Sequence, residues 1–244
     1  MSDFETIIYD KKNGTGYITL NRPQALNVYN IKMRDELFQI LGAIKDDPDL
    51  KVIIFKGSGD RAFCAGADLS EFLTAPSPII ARQARWGRDI WGLFLSINKP
   101  FIAALHGYVL GSGIEIALCC DIRIASEDIH LGVPEMGLGI IPAAGGSQTL
   151  PRIIGRARAL EMLLSGRWVK ADEAYKLKLV NKVVPRTELL TSAEETADKI
   201  KLYDPLVVSY AKQAITNGLD MSLKQGFAYE DTLRKILLKS RVNI

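Results

Sequence analysis

Little in this chain suits metal or disulfide chemistry. Its 244 residues include three cysteines, Cys64, Cys119 and Cys120, and two histidines, His106 and His130. An odd number of cysteines, two of them adjacent, implies no disulfide framework, so reduced thiols are expected. Neither histidine stands at a metal-type spacing from the cysteines, and no metal is expected. No apolar run is long enough to cross a bilayer, and mean hydropathy is only +0.07. The start, Met1-Ser-Asp-Phe-Glu-Thr6, has neither the basic residues nor the apolar core of a signal peptide, so a cytoplasmic location is expected. Charge of one sign is also missing. The 31 basic and 28 acidic residues leave +3, too balanced to demand nucleic acid but compatible with a polyanionic small molecule.

What is present reads as one ordinary soluble domain with a sizeable core and a small appendage. Thr6 to Tyr9 and Gly16 to Leu20 are expected as two strands around a Lys11-Lys-Asn-Gly14 turn. From Asn30 to Lys45 the apolar positions Ile31, Leu37, Ile40, Leu41 and Ile44 recur at helical spacing, and Asp46-Asp-Pro48 closes the helix. Val52 to Phe55 is a continuous apolar run of strand length, as in a strand covered on both faces. Pro100 to Leu105, Tyr108 to Leu110 and Ile122 to Ala125 repeat this grammar, strand then glycine-rich turn then helix. Phe72 to Ile79, with two prolines, is expected as a loop. Trp86, Trp91 and Phe94 follow on a helix, where core packing is the favoured reading and lining of an apolar ligand pocket the alternative. After Gly166 the pattern turns helical, over Ala171 to Leu177, Glu188 to Leu202, Pro205 to Asn217 and Leu223 to Lys239.

Two glutamates occupy surroundings hostile to a carboxylate. Glu115 lies in Gly111-Ser-Gly-Ile-Glu-Ile-Ala-Leu-Cys119 and Glu135 in Val133-Pro-Glu-Met-Gly-Leu138. Neither has a basic neighbour in its run, so folding should bury both unpaired and push their pKa values upward, toward the range of general acid/base work. Either one alone is more often structural. Both stand beside glycine-rich turns, however, and a third such turn, Arg61-Ala-Phe-Cys-Ala-Gly-Ala-Asp68, lies upstream. Small residues there admit a ligand to bare backbone N–H groups, and Gly111-Ser-Gly113 offers the same at a helix start. Together the turns could form an oxyanion hole.

The order of the motifs adds to this. Asn21-Arg-Pro-Gln-Ala-Leu-Asn27, Ala62-Phe-Cys-Ala-Gly-Ala-Asp68, Gly107-Tyr-Val-Leu-Gly-Ser-Gly-Ile-Glu115, Pro134-Glu135 and Ile141-Pro-Ala-Ala-Gly-Gly-Ser-Gln148 closely resemble the enoyl-CoA hydratase/isomerase (crotonase) family. Leu164-Ser-Gly-Arg167, Ala171-Asp-Glu-Ala174 and Leu179-Val-Asn-Lys-Val-Val184 extend the resemblance over most of the chain. It implies an α/β fold, a crotonase-like spiral of ββα units over residues 1–190 that carries an acyl-CoA site, with a C-terminal helical trimerisation segment over 191–244. A homotrimer or a dimer of trimers is implied.

The implied activity is that of a hydro-lyase of fatty acid metabolism and β-oxidation: reversible hydration of a 2-enoyl-CoA to a 3-hydroxyacyl-CoA. Coenzyme A is then part of the substrate, and no separate cofactor is expected. By resemblance, Glu115 and Glu135 are catalytic, the backbone N–H groups of Ala67 and Ser112 hold the thioester oxygen, and Gln24, Ala25, Leu26, Ala65, Gly66, Asp68 and Gly111 bind substrate or CoA. Arg22 could meet CoA phosphates, with a solvated surface arginine as the plainer reading. An enoyl-CoA isomerase, or a hydratase of a cyclic, branched or dienoyl-CoA, is the alternative within the family. A non-catalytic or RNA-binding relative, using basic residues near Lys32 and Lys199, is the alternative outside it, although those lysines alternate with acids as on a solvated helix.

The sequence departs from the family pattern at several positions. Ser112 replaces the middle glycine of a usual triple, Ala143 and Ser147 replace Gly and Thr, and Lys178 replaces a common glycine before Leu-Val-Asn. The earlier changes are expected to reshape the acyl pocket and Lys178 to end a helix less neatly. The chain stops at Arg241-Val-Asn-Ile244, where family members run on, which leaves open the family's C-terminal contact with the CoA nucleotide.

Overall fold

Asn13 and Gly14 both adopt positive φ, 50° and 75°, the two-residue turn whose twist suits a hairpin. They join strands β1 (Ile7–Lys12) and β2 (Thr15–Leu20), paired antiparallel from Ile7↔Leu20 to Lys12↔Thr15. The turn is tighter than the four-residue Lys11–Gly14 expectation. The computed structural model describes residues 4–71, 77, 79 and 87–242. The expected loop Phe72–Ile79 therefore lies largely outside the described residues, and Trp86 lies wholly outside them.

Helix α1 (Ile31–Asp46) begins at the Asn30 cap, whose side chain accepts from the Met33 N–H at 2.9 Å. Its apolar stripe, Met33, Leu37, Ile40, Leu41 and Ile44, is buried, while the predicted member Ile31 is exposed. The chain then enters β3 (Val52–Gly57), parallel to β2. With β5 (Phe101–Leu105), β7 (Ile122–Ser126) and β10 (Lys182–Val184) these strands build a six-stranded sheet in the order β1-β2-β3-β5-β7-β10. Val52 to Phe55 and the whole of β5 are buried, because the sheet is covered on both faces. One face carries the large core with α1. The other packs on Ala193 and Ala197 of α7 (Leu189–Lys201).

Short strands β4 (Ala62–Cys64), β6 (Tyr108–Leu110), β8 (His130–Gly132) and β9 (Val169–Lys170) form a second sheet in that order. Each of β3, β5 and β7 is thus followed by a strand of the small sheet, the ββα repetition expected from the motifs. Helices α2 (Ile90–Ser96) and α3 (Ser112–Cys119) follow β4 and β6. Helices α4 (Gly146–Ile154) and α5 (Arg156–Ser165) lie before Gly166, so the helical part of the chain starts earlier than its pattern suggested. Pro151 inside α4 and Gly155 just after it interrupt the helical pattern there, since both residues read as helix breakers. The last helices are α6 (Ala171–Lys176), α8 (Pro205–Gly218) and α9 (Leu223–Val242).

Past α6, Lys178 holds φ 63°, the left-handed conformation that favours glycine after a helix. Its N–H donates to the Tyr175 carbonyl at 3.0 Å. Lys178→Gly relieves the Cβ clash, so the variant should be more stable by about 0.5–1 kcal/mol, read as a higher urea midpoint at unchanged slope.

α8 and α9 pack on each other, and much of their apolar surface stays uncovered. Leu206, Ile215, Leu219, Leu223, Phe227, Ile236 and Leu238 are exposed, and among the described residues of these helices only Leu233 is buried. Among the described residues no helix is long and apolar enough to cross a membrane.

Candidate active site

Three glycine-rich turns converge on one cavity of about 600 Å³. The first follows β4. There the Tyr29 N–H donates to the Gly66 carbonyl and the Asp68 N–H to the Tyr29 carbonyl, both at 2.8 Å, while the Ala65 N–H reaches the Leu26 carbonyl at 3.0 Å. This stitching uses the groups on either side of Ala67, and among the described residues the Ala67 N–H donates to no protein acceptor.

The second turn is Gly111, with φ 50° and ψ −121°, a conformation closed to residues with a side chain. A Cβ there would also stand 3.0 Å from Glu135 Oε1 and 3.4 Å from the Gly66 Cα. Glycine at 111 is therefore required twice, by its dihedrals and by the close approach of the glutamate. Ser112 opens α3, where its N–H has no intrahelical partner. One turn further along this fully buried helix stands Glu115, 3% exposed.

The third turn runs from Ala143 to Gly146. The N–H groups of Ala144 and Gly146 donate to Glu115 Oε1 at 3.0 and 2.8 Å. A Cβ on Gly146 would lie 2.9 Å from that oxygen, so glycine is what lets the backbone approach. The expectation that Glu115 would be buried without a partner is thereby corrected. Its partners are backbone donors 29 and 31 residues away, which the run around Glu115 could not reveal.

Glu135 behaves as expected. It sits in the 3-10 turn Pro134–Leu138, 8% exposed, and its Oε2 has no hydrogen-bond partner. Burial pushes its pKa above the usual carboxylate range, because desolvation penalises the charged form.

Ala65, Gly66, Ala67, Gly111, Ser112, Glu115 and Glu135 all line this cavity. Gln24, Ala25, Leu26 and Asp68 do not. Pro23–Ala25 is a 3-10 turn ending in left-handed Leu26, which touches the site through its bond to Ala65. Arg22 is neither a solvated arginine nor a free one: it pairs with Asp68 at 2.9 Å and donates to the Val28 carbonyl at 2.8 Å. Lys32 pairs with Glu5 at 3.0 Å and Glu36 at 3.7 Å.

The sequence had pointed less clearly to the rest of the wall. Tyr29, Ile90, Leu138, Ile140 and Ile141 supply apolar surface. Trp91 also lines the cavity while packing against the core, and its ring stands 6.2 Å from Tyr29, so both readings of this tryptophan apply. Phe94 is core alone. The signal for Ile140 and Ile141 was their place in the glycine-rich run after Glu135.

Asn27 was missed as well, and it holds the first turn together. Fully buried, it donates to the carbonyls of Ser58 at 2.9 Å and Ala62 at 2.8 Å, and accepts from the Arg22 N–H at 2.8 Å. Cys64, Cys119 and Cys120 are buried free thiols, the first two pushed up to about 12 by burial, which makes them poor nucleophiles at neutral pH.

Comparison with known proteins gives this geometry its context. Residues 10–241 match the model of the enoyl-CoA hydratase/isomerase family. The chain is 38% identical over 228 residues to a short-chain-enoyl-CoA hydratase of Clostridium acetobutylicum, covering 93% of this chain and 87% of that one. It is likewise 38% identical over 228 residues to a crotonyl-CoA hydratase of Syntrophomonas wolfei, again with 93% and 87% covered. The crystal structure of an enoyl-CoA hydratase from Bacillus anthracis superposes with a TM-score of 0.89 at 39% identity, covering 95% of this chain and 90% of that one. With the motifs, the two-sheet spiral and these matches in agreement, this chain belongs to the enoyl-CoA hydratase/isomerase family and has its crotonase-like α/β fold.

Proposed function

We propose that this enzyme reversibly adds water to a 2-enoyl-CoA to give the 3-hydroxyacyl-CoA. The observation that carries the reading is a single cavity walled by two buried glutamates and by two glycine-rich turns with unused backbone donors. The names of the relatives point the same way. The thioester carbonyl would accept from the Ala67 and Ser112 N–H groups, which stabilise negative charge as it develops on oxygen. That polarisation makes C3 electrophilic. Glu115, held in place by two N–H groups, orients water and takes a proton as the hydroxyl joins C3. Glu135, whose burial favours the protonated form, gives a proton to C2. The apolar wall around Tyr29, Trp91, Leu138 and Ile141 takes the acyl chain.

In the same reading, Ala65, Gly66 and Gly111 face the thioester end of the substrate, and Gln24, Ala25, Leu26 and Asp68 border the path of the CoA. CoA enters and leaves with the substrate, so the protein itself contributes every acid, base and donor of the reaction. Mixing the enzyme with crotonyl-CoA, and then with longer or cyclic enoyl-CoA thioesters, should bleach the conjugated enoyl absorbance. Failure with every 2-enoyl-CoA would remove the reading, and shift of the double bond without hydration would make the enzyme an isomerase.

The 191–244 region is proposed to assemble the protein into trimers or pairs of trimers. More apolar surface is left on α8 and α9 than a soluble monomer tends to carry. Light scattering at micromolar concentration should give the mass of three or six chains, and truncation after Tyr203 should cause aggregation. A well-behaved monomer with full activity contradicts the assembly.

A further inference from the structure

A second concavity, of about 200 Å³, opens at the far end of the six-stranded sheet and shares no lining residue with the active-site cavity. Lys56 at the end of β3, His106 just past β5 and Arg186 just past β10 converge there, with Leu189 and Leu190 from the first turn of α7. Among the described residues no acidic side chain lines it. Lys56 makes no ion pair or side-chain hydrogen bond among the described residues. Among the described residues Arg186 donates to the Gly59 carbonyl, at 3.3 Å, and has no carboxylate at ion-pair distance.

His106 is the least expected member. It is 2% exposed, and its Nε2 has no hydrogen-bond partner. A buried polar atom without a partner costs free energy unless something outside the protein satisfies it. Burial, and next Arg186, hold the ring at a pKa of about 4, against the opposing influence of Asp128, of a hydrogen bond to the Gly59 backbone and of Asp60. The imidazole is therefore neutral at pH 7, with a single ring proton. Two cations and the N-terminal end of a 13-residue helix surround one small space and favour negative charge there, with Asp128 and Asp60 acting on Arg186 from beyond ion-pair distance.

We propose that this concavity binds a small tetrahedral oxyanion of the phosphate class, clamped between Lys56 and Arg186 beside the His106 ring, which reports its binding. Two sources share that chemistry, free inorganic phosphate and a phosphate group of coenzyme A. The space has room for such an anion with part of its water shell.

The chain's two histidines make the test direct, because only two sets of imidazole signals arise in a proton NMR spectrum. His130 stands 5.7 Å from the Tyr108 ring and 6.4 Å from the Trp168 ring, so its signals report an intact fold in every sample. Inorganic phosphate is titrated into the full-length protein against sodium chloride at matched ionic strength. The His106 signal should move saturably with a Kd on the order of 1 mM, while His130 stays in place. Lys56→Met and Arg186→Met should each weaken that binding at least about tenfold, the loss of one charge-assisted contact. Coenzyme A and dephospho-CoA are added separately. A His106 shift at lower concentration with coenzyme A assigns the site to its 3′-phosphate, and no shift with either leaves free phosphate as the ligand. Equal movement in chloride and phosphate, or no saturable movement with phosphate or coenzyme A, overturns the proposal and leaves a buried water as the partner of Nε2.

Discussion

Glu115→Gln and Glu135→Gln should each lower kcat for the best enoyl-CoA by about 10²–10⁴-fold, the usual contribution of a positioned acid or base. The two losses should differ in what accompanies them. At position 115 the amide can still accept from Ala144 and Gly146 through its carbonyl oxygen, so the shape of the third turn survives. At position 135 the substitution removes a carboxyl whose pKa burial has raised. A carboxyl with a raised folded-state pKa binds its proton more tightly folded than unfolded. Its contribution to stability is present below the unfolded pKa and is lost as pH rises through the folded one. The neutral amide carries no such penalty. Glu135→Gln should therefore unfold at a higher urea concentration than the parent at pH 8, with the gap closing toward pH 4, while it has lost its turnover. Near-parental turnover in either variant would rule out a mechanism that needs both carboxyls. Unfolding of both at neutral pH would make the glutamates structural.

The burial of these glutamates was legible because apolar and glycine residues surround each of them. Their different environments were not. Glu135 is governed by its immediate run, whereas Glu115 is governed by Ala144 and Gly146, brought to it by the packing of α4 beside α3. The same distinction runs through the fold. α1, β3 and β5 were readable from periodicity, cap residues and continuous apolar runs, all of them local properties. β4 and β8, three residues each, are too short to have a period, and they exist because β6 lies between them. α4 carries Pro151 inside it and Gly155 after it, so no uninterrupted helical pattern marked this stretch before packing made it a helix. Arg22 looked like a free cation because its partner, Asp68, is 46 positions away in the chain. Local chemistry thus marked where the site would be, and long-range contacts decided how each charged group in it is held.

The thioester end of the site should respond to loss of a single backbone hydrogen. Ala67→Pro replaces the N–H with a ring carbon, and loss of one oxyanion donor typically costs ~10²–10³ in kcat. The site's own geometry makes this substitution informative. The hydrogen bonds that pin the turn are made by Gly66 and Asp68, so proline at 67 removes no hydrogen bond that holds the fold. Ser112→Gly is the matching control. It keeps the N–H at the first position of α3 and deletes a side chain that is nearly buried against the cavity, so turnover should stay close to the parent's, with any change confined to KM for bulky acyl groups. A collapse of kcat in Ala67→Pro beside a small effect in Ser112→Gly, with both proteins matching the parent in circular dichroism, places the chemistry on backbone donors. If folded Ala67→Pro turned over like the parent, the carbonyl would have to be polarised elsewhere, and the two glutamates would be acting on a substrate bound in a different orientation.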